Sequence, residues 1–203
     1  MSSVVEVFNL AATRMGSVTR VSSPDDDRHV ARTIKAVFDQ QRRAAIRDGA
    51  WNFATRVAEL AAEYNPDRVI YPWARAFPMP ALNLRLLEVL GCSREDYELL
   101  DGVVCANAAG PLRVRHLVDV VEPAYWDEGF ANSFGLRLAC VCGRAIGGSA
   151  FDLDQCWAEY RSSIGGAKRV DARENPGPGQ DESSWITSRF TGGVTSGRGR
   201  GGW

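Results

Sequence analysis

Apolar residues recur every three or four positions at both ends of the chain and alternate with polar ones through its middle. Val4, Val7, Phe8 and Ala11 set a first helix over residues 4–14, with Gly16-Ser17 as its stop. Val30, Ile34, Val37, Phe38, Gln41 and Ala45 form a longer stripe, and Arg32, Lys35, Asp39, Arg42 and Arg43 lie largely off it. The run Ser22-Ser23-Pro24-Asp25-Asp26-Asp27 precedes that stripe. A serine caps free amides, proline suits the first helical position, and aspartates complement the positive end of the helix dipole. The pattern predicts a helix from about Pro24 to Arg47, stopped by Gly49.

The period changes after Trp51. Phe53, Thr55 and Val57 alternate as in a strand, and Pro66, Pro72, Pro78 and Pro80 exclude helix from the stretch that follows. Residues 84–89 read as a strand. Asp96 to Leu100 and Val103 to Ala106, joined by Asp101-Gly102, read as a hairpin with a tight turn. Leu112, Val114, His116, Val118 and Val120 alternate with Arg113, Arg115 and Asp119, giving a half-buried strand.

Helical spacing then returns. Pro123 opens a helix whose stripe is Phe130, Phe134, Leu138, Val141 and Ala145, ended by Gly147-Gly148. Leu153, Trp157, Tyr160, Ile164 and Ala167 mark another. The predicted class is α+β. Residues 1–50 and 122–173 form a helical bundle from both chain ends, residues 51–121 an inserted β-rich domain, and residues 174–203 an extended Gly/Pro/Ser-rich tail. The core is expected around Val30, Ile34, Val37, Phe38, Trp51, Phe53, Phe130, Phe134, Leu138, Trp157 and Tyr160, with Trp126 beside them. The tail has few sizeable apolar groups, too few to offset its ordering entropy alone.

Composition narrows the function classes. The 203 residues carry a net charge of −1, which argues against a surface built to hold a polyanion. Neither a signal peptide nor a membrane span is expected. Five cysteines without framework spacing read as reduced, mostly buried thiols.

Candidate chemistry is sparse. His29 and His116 are the two histidines, in a helix start and a strand, and read as structural. No nucleophile elbow or phosphate loop is present, and the paired glycines of residues 143–148 follow a helix rather than a strand. Cys140 and Cys142 point about 200° apart on a helix and do not share a metal ion. No cofactor is expected. The arginines 32, 42, 43 and 47 with Lys35 read as a solvated basic face. In the tail, Trp185, Ile186, Arg189, Phe190, Arg198, Arg200 and Trp203 are the residue types that anchor interfaces. Arg198-Gly199-Arg200-Gly201-Gly202-Trp203 also has the look of a short nucleic-acid segment.

Two strings bear on function. Asp48-Gly49-Ala50-Trp51-Asn52-Phe53-Ala54-Thr55-Arg56 closes the second helix. Asp171-Ala172-Arg173-Glu174, followed by Ser183-Ser184-Trp185-Ile186-Thr187-Ser188-Arg189, closes the last. At these residues the chain resembles the head-to-tail adaptor family of short-tailed bacteriophages, also called tail tubular protein A, over roughly residues 1–190. The resemblance implies a virion-tail protein made in the host cytoplasm, with no chemistry of its own. It would form a ring of about twelve copies at the head–tail junction, partnered by portal and nozzle proteins, with DNA passing through the lumen unread. The tail anchors would then meet portal or a neighbouring subunit. The alternatives are a small helical enzyme or cofactor-binding protein with a scattered site such as His116, Cys105 and Tyr160, or an RNA-binding accessory protein using the Arg-Gly tail.

Overall fold

A computed structural model describes residues 3–64 and 70–174. It is mixed helix and sheet, as the change of period predicts. The helices are α1 (Val4–Arg14), α2 (His29–Arg47), α3 (Glu128–Gly147) and α4 (Leu153–Glu174). Between α2 and α3 lie six strands, β1 (Thr55–Leu60), β2 (Arg75–Pro78), β3 (Asn83–Leu90), β4 (Tyr97–Leu100), β5 (Val103–Ala106) and β6 (Leu112–Val118). They form two three-stranded antiparallel sheets, ordered β1-β6-β3 and β2-β5-β4.

The helices pack around α3, which contacts α1, α2 and α4. Their shared core is aromatic. Phe38 lies 5.2 Å from both Phe8 and Phe134, and Phe130 lies 5.1 Å from Trp51, 5.0 Å from Phe53 and 5.4 Å from Trp126, between ring centroids. Edge-on and tilted pairs of this kind add to the burial of the rings themselves. A second core lies between the two sheets, built on Leu60, Phe77, Val89, Val104, Leu112 and Val114. The alternation of β6 divides its side chains between the cores: Leu112 and Val114 face the other sheet, whereas Leu117 joins the helical core. Of the expected core, Val37, Phe53 and Trp157 are only partly buried and pack against the rest, and the others are buried.

Several local expectations change. The second helix starts at His29 rather than Pro24, with Arg28 at the cap position and no side-chain cap. The acidic run forms a turn instead. Asp26 accepts from the backbone N–H groups of Ser22 and Arg28, while Asp25 and Asp27 pair with Lys35 and Arg32. The basic face is therefore partly neutralised by its own approach segment. Arg42 leaves that face altogether. It is 3% exposed and donates through Nε and Nη2 to the two carboxylate oxygens of Asp119 at 2.8 and 2.9 Å.

The third helix starts at Glu128, because Asp127 caps it by accepting from the Phe130 N–H at 3.0 Å; Pro123 opens a separate single turn, Pro123–Tyr125. Val141 and Ala145 of its stripe are exposed, and Leu136, Cys140 and Cys142 are buried instead. A helix enclosed by three others buries most of its circumference, so no single stripe describes it. Gly143 belongs to that close packing: a Cβ there would lie 2.1 Å from the Phe151 ring. Strand β2 was hidden by its prolines. Pro78 is tolerated at its end, opposite Val103. The Asp101-Gly102 turn is as expected, with positive φ at both residues (46° and 73°).

Cys140 and Cys156 are joined in a disulfide across α3 and α4, with Cα atoms 5.6 Å apart. This corrects the expectation of five reduced thiols. The helical hairpin brings two distant cysteines within bridging range, which spacing in sequence does not reveal.

Candidate functional site

The chain leaves α2 through Asp48-Gly49-Ala50 and turns sharply into Trp51. Gly49 is needed there for space rather than as a left-handed stop, since a Cβ would lie 2.5 Å from the Trp51 Nε1. The indole is fully buried and donates to the Ala45 carbonyl at 3.2 Å, satisfying one of the free carbonyls at the end of α2. Arg85 of β3 donates to the Arg47 carbonyl at 3.0 Å, and Lys168 of α4 to the Asp48 carbonyl at 2.5 Å. Two cations thus meet the negative end of the α2 dipole.

Asn52 then ties this turn to the end of α4. Its backbone N–H donates to both Asp171 carboxylate oxygens at 3.0 and 3.2 Å, and its Nδ2 donates to the Asp171 carbonyl at 2.7 Å. Burial raises the Asp171 carboxyl above its ordinary value, opposed by the Asn52 N–H and reinforced by the charges of Asp127 and Glu174. A third tie uses Arg137 of α3. It donates to Gln41 Oε1 at 2.8 Å, Asp48 Oδ2 at 2.8 Å and the Tyr160 hydroxyl at 2.9 Å, with its guanidinium over the Tyr160 ring. Burial raises the Tyr160 hydroxyl, and Arg137 acts against it.

Around this joint lies a cleft of about 440 Å³, lined in part by Asp48, Thr55, Arg85, Arg115, Lys168 and Asp171. A larger hollow of about 810 Å³ lies at the other ends of the helices, among Met15, Val18, Leu136, Ile146, Phe151 and Cys156. Among the described residues no group of three or more His, Cys, Asp or Glu side chains is arranged to hold a metal ion, and no helix is long and apolar enough to cross a membrane.

No protein-family model matches the chain, and no curated protein matches it. The interface candidates Trp185, Ile186, Arg189, Phe190, Arg198, Arg200 and Trp203 lie outside the described residues. The scattered trio is not brought together as one site. His116 is buried in β6, Cys105 belongs to the small cluster with Ala76 and Val103, and Tyr160 lies in the helical core. Burial lowers His116 and pushes Cys142 up to about 11.

Asn52 and Asp171 stand in the sequence only as members of the two strings, with nothing to say that they meet, and Arg85, Arg115, Arg137 and Lys168 carry no signal of a shared site. A signal existed for Asp171: it continues the buried α4 series Cys156, Tyr160, Ile164, Ala167 at helical spacing, and a carboxylate at such a position needs a partner. Arg42 carries the same signal on α2, four residues after Phe38.

Proposed function

We propose that the chain is a structural ring subunit of the head-to-tail adaptor type, joining portal to tail nozzle and extending the channel for DNA. In this reading residues 1–50 and 122–173 form one helical bundle, 51–121 an inserted β-rich domain, and 174–203 an extended tail that meets portal or a neighbouring subunit. The ring holds about twelve copies, each meeting the next head to tail, a contact that closes by rotation. Function lies in shape and interface, with no catalytic step.

One observation carries the reading beyond the resemblance itself. The strings Trp51-Asn52-Phe53-Ala54 and Asp171-Ala172-Arg173-Glu174 are 119 residues apart at their bonded members, yet Asn52 and Asp171 join them directly. The two strings that carry the resemblance thus form a single joint in the fold. Strands β1, β2, β3 and β4 are sheet edges, β2 partly covered by a bridge from Glu63 to Ala76, and edges are the kind of surface on which ring neighbours can pair.

Negative-stain imaging of the purified protein, with and without portal, tests the proposal. Rings seated on portal are the expected result. A monomer that leaves portal bare overturns it. Trp185→Ala is expected to weaken attachment by about 2 kcal/mol or more if that side chain is a buried anchor.

A further inference from the structure

The cleft at the end of α2 has more positive donors than its own carboxylates use. Asp171 accepts from the Asn52 N–H, and Asp48 accepts from Arg137. Arg115 pairs with Glu88 at 2.5 Å. Arg85 and Lys168 each end on a backbone carbonyl, and among the described residues neither pairs with a carboxylate. A guanidinium has five N–H donors and an ammonium three, so one carbonyl apiece leaves most of this capacity open. Both side chains line the same cleft, next to Arg115.

Helix α4 delivers the following chain to this place. Asp171 and Ala172 line the cleft, three and two residues before Glu174, the last described residue of α4. Residues 175–203 contain two acidic side chains, and they are adjacent: Asp181 and Glu182. The six intervening residues, Asn175-Pro176-Gly177-Pro178-Gly179-Gln180, span at most about 20 Å.

We propose that the cleft formed by Arg85, Arg115 and Lys168 is a docking site for the chain's own Asp181-Glu182 pair. The chemistry is carboxylate recognition by a guanidinium fork and an ammonium. The short tether makes the encounter intramolecular, at the millimolar effective concentration typical of short linkers, so modest contacts suffice. The contact would hold the start of the tail against the joint between α2, β3 and α4, leaving Trp185 and the residues beyond it to reach other surfaces. This inference does not rest on the adaptor reading, since it concerns one chain alone.

Carbodiimide coupling of the full-length protein, mapped by mass spectrometry, tests it. The chain has two lysines, Lys35 and Lys168. Lys35 pairs with Asp25 at 2.5 Å and supplies an internal control for coupling. The expected product links Lys168 to Asp181 or Glu182, falls several-fold in Arg85→Gln and at raised salt, and forms within single chains when light and isotope-labelled protein are mixed. Lys35 coupling without any Lys168–Asp181 or Lys168–Glu182 link overturns the proposal. So does a link found only between light and labelled chains, which would make the occupant a neighbouring copy. A yield unchanged in Arg85→Gln, with that variant's melting temperature retained, also overturns it.

Discussion

The backbone N–H of Asn52 donates to both carboxylate oxygens of Asp171, closing a loop of 119 residues that contains every strand and α3. The bond fixes the last turn of α4 against the exit of α2. It also takes a carboxylate out of water, so its contribution depends on ionisation. A raised folded-state value means that folding favours the neutral acid. That contribution is complete below the unfolded value and is lost as pH rises through the folded one. Near neutral pH the ionised Asp171 therefore weighs against the fold relative to a neutral acceptor.

Asp171→Asn keeps an acceptor oxygen and removes the charge, so stability at neutral pH should be equal to or above that of the parent. Asp171→Ala strands the Asn52 N–H and should cost about 1–3 kcal/mol. Urea unfolding of the two variants measures the difference. Equal losses in both would mean that the charge, not the acceptor, is what Asn52 needs.

Trp51 is fully buried, edge-on to Phe130 and bonded to the Ala45 carbonyl. Trp51→Ala should cost about 3–5 kcal/mol. Gly49→Ala presses a methyl group into the same ring and should cost about 1–3 kcal/mol by overpacking. Thermal unfolding checks both, and an unchanged melting temperature in either would contradict the packing described.

Arg42 and Asp119 form a two-bonded ion pair with side chains 4% and 15% exposed. Removing Arg42 alone leaves Asp119 largely buried and unneutralised, at about 3–5 kcal/mol. In a double-mutant cycle with Asp119→Asn the losses should not add. Additive losses would show that the pair is not coupled.

His116 is buried, its Nδ1 has no hydrogen-bond partner among the described residues, and burial, with the charge of Arg56, lowers it below its ordinary value against a backbone hydrogen bond at Leu117. A depressed folded value favours the neutral ring. Its contribution is complete above the unfolded value of about 6.5 and is lost as pH falls through and below it. Denaturation midpoints should fall between neutral pH and pH 5, and His116→Phe should flatten that part of the profile. An identical profile in the variant assigns the titration to another group.

Reducing the Cys140–Cys156 bond, which closes a separation of 16 residues, should lower stability by about 3 kcal/mol. Comparison of unfolding with and without a thiol reductant is the measurement.

The sequence by itself determined most element types, because helical and strand periods depend on near neighbours; β2 stayed hidden behind its prolines, and Phe53, read as strand, lies in the single turn Asn52–Ala54. Three of the four helices end where the pattern places the stop, and the Asp101-Gly102 hairpin follows from turn chemistry alone. It also placed most of the aromatic core, since large rings on a periodic stripe have nowhere else to go. Tertiary structure decided the rest. The start of α2 shifted as Asp26 held the acidic run in a turn by accepting from the Ser22 and Arg28 N–H groups, with Asp25 and Asp27 in exposed pairs to Lys35 and Arg32. Arg42 became a core residue because β6 ends beside α2 and brings Asp119 to it. Asn52 and Asp171, the cleft cations and the Cys140–Cys156 pair all depend on segments far apart in the chain. Spacing and propensity report the cost of local conformation. They carry no information on which distant group arrives to satisfy a buried charge or amide, and that pairing is what the packed fold supplies.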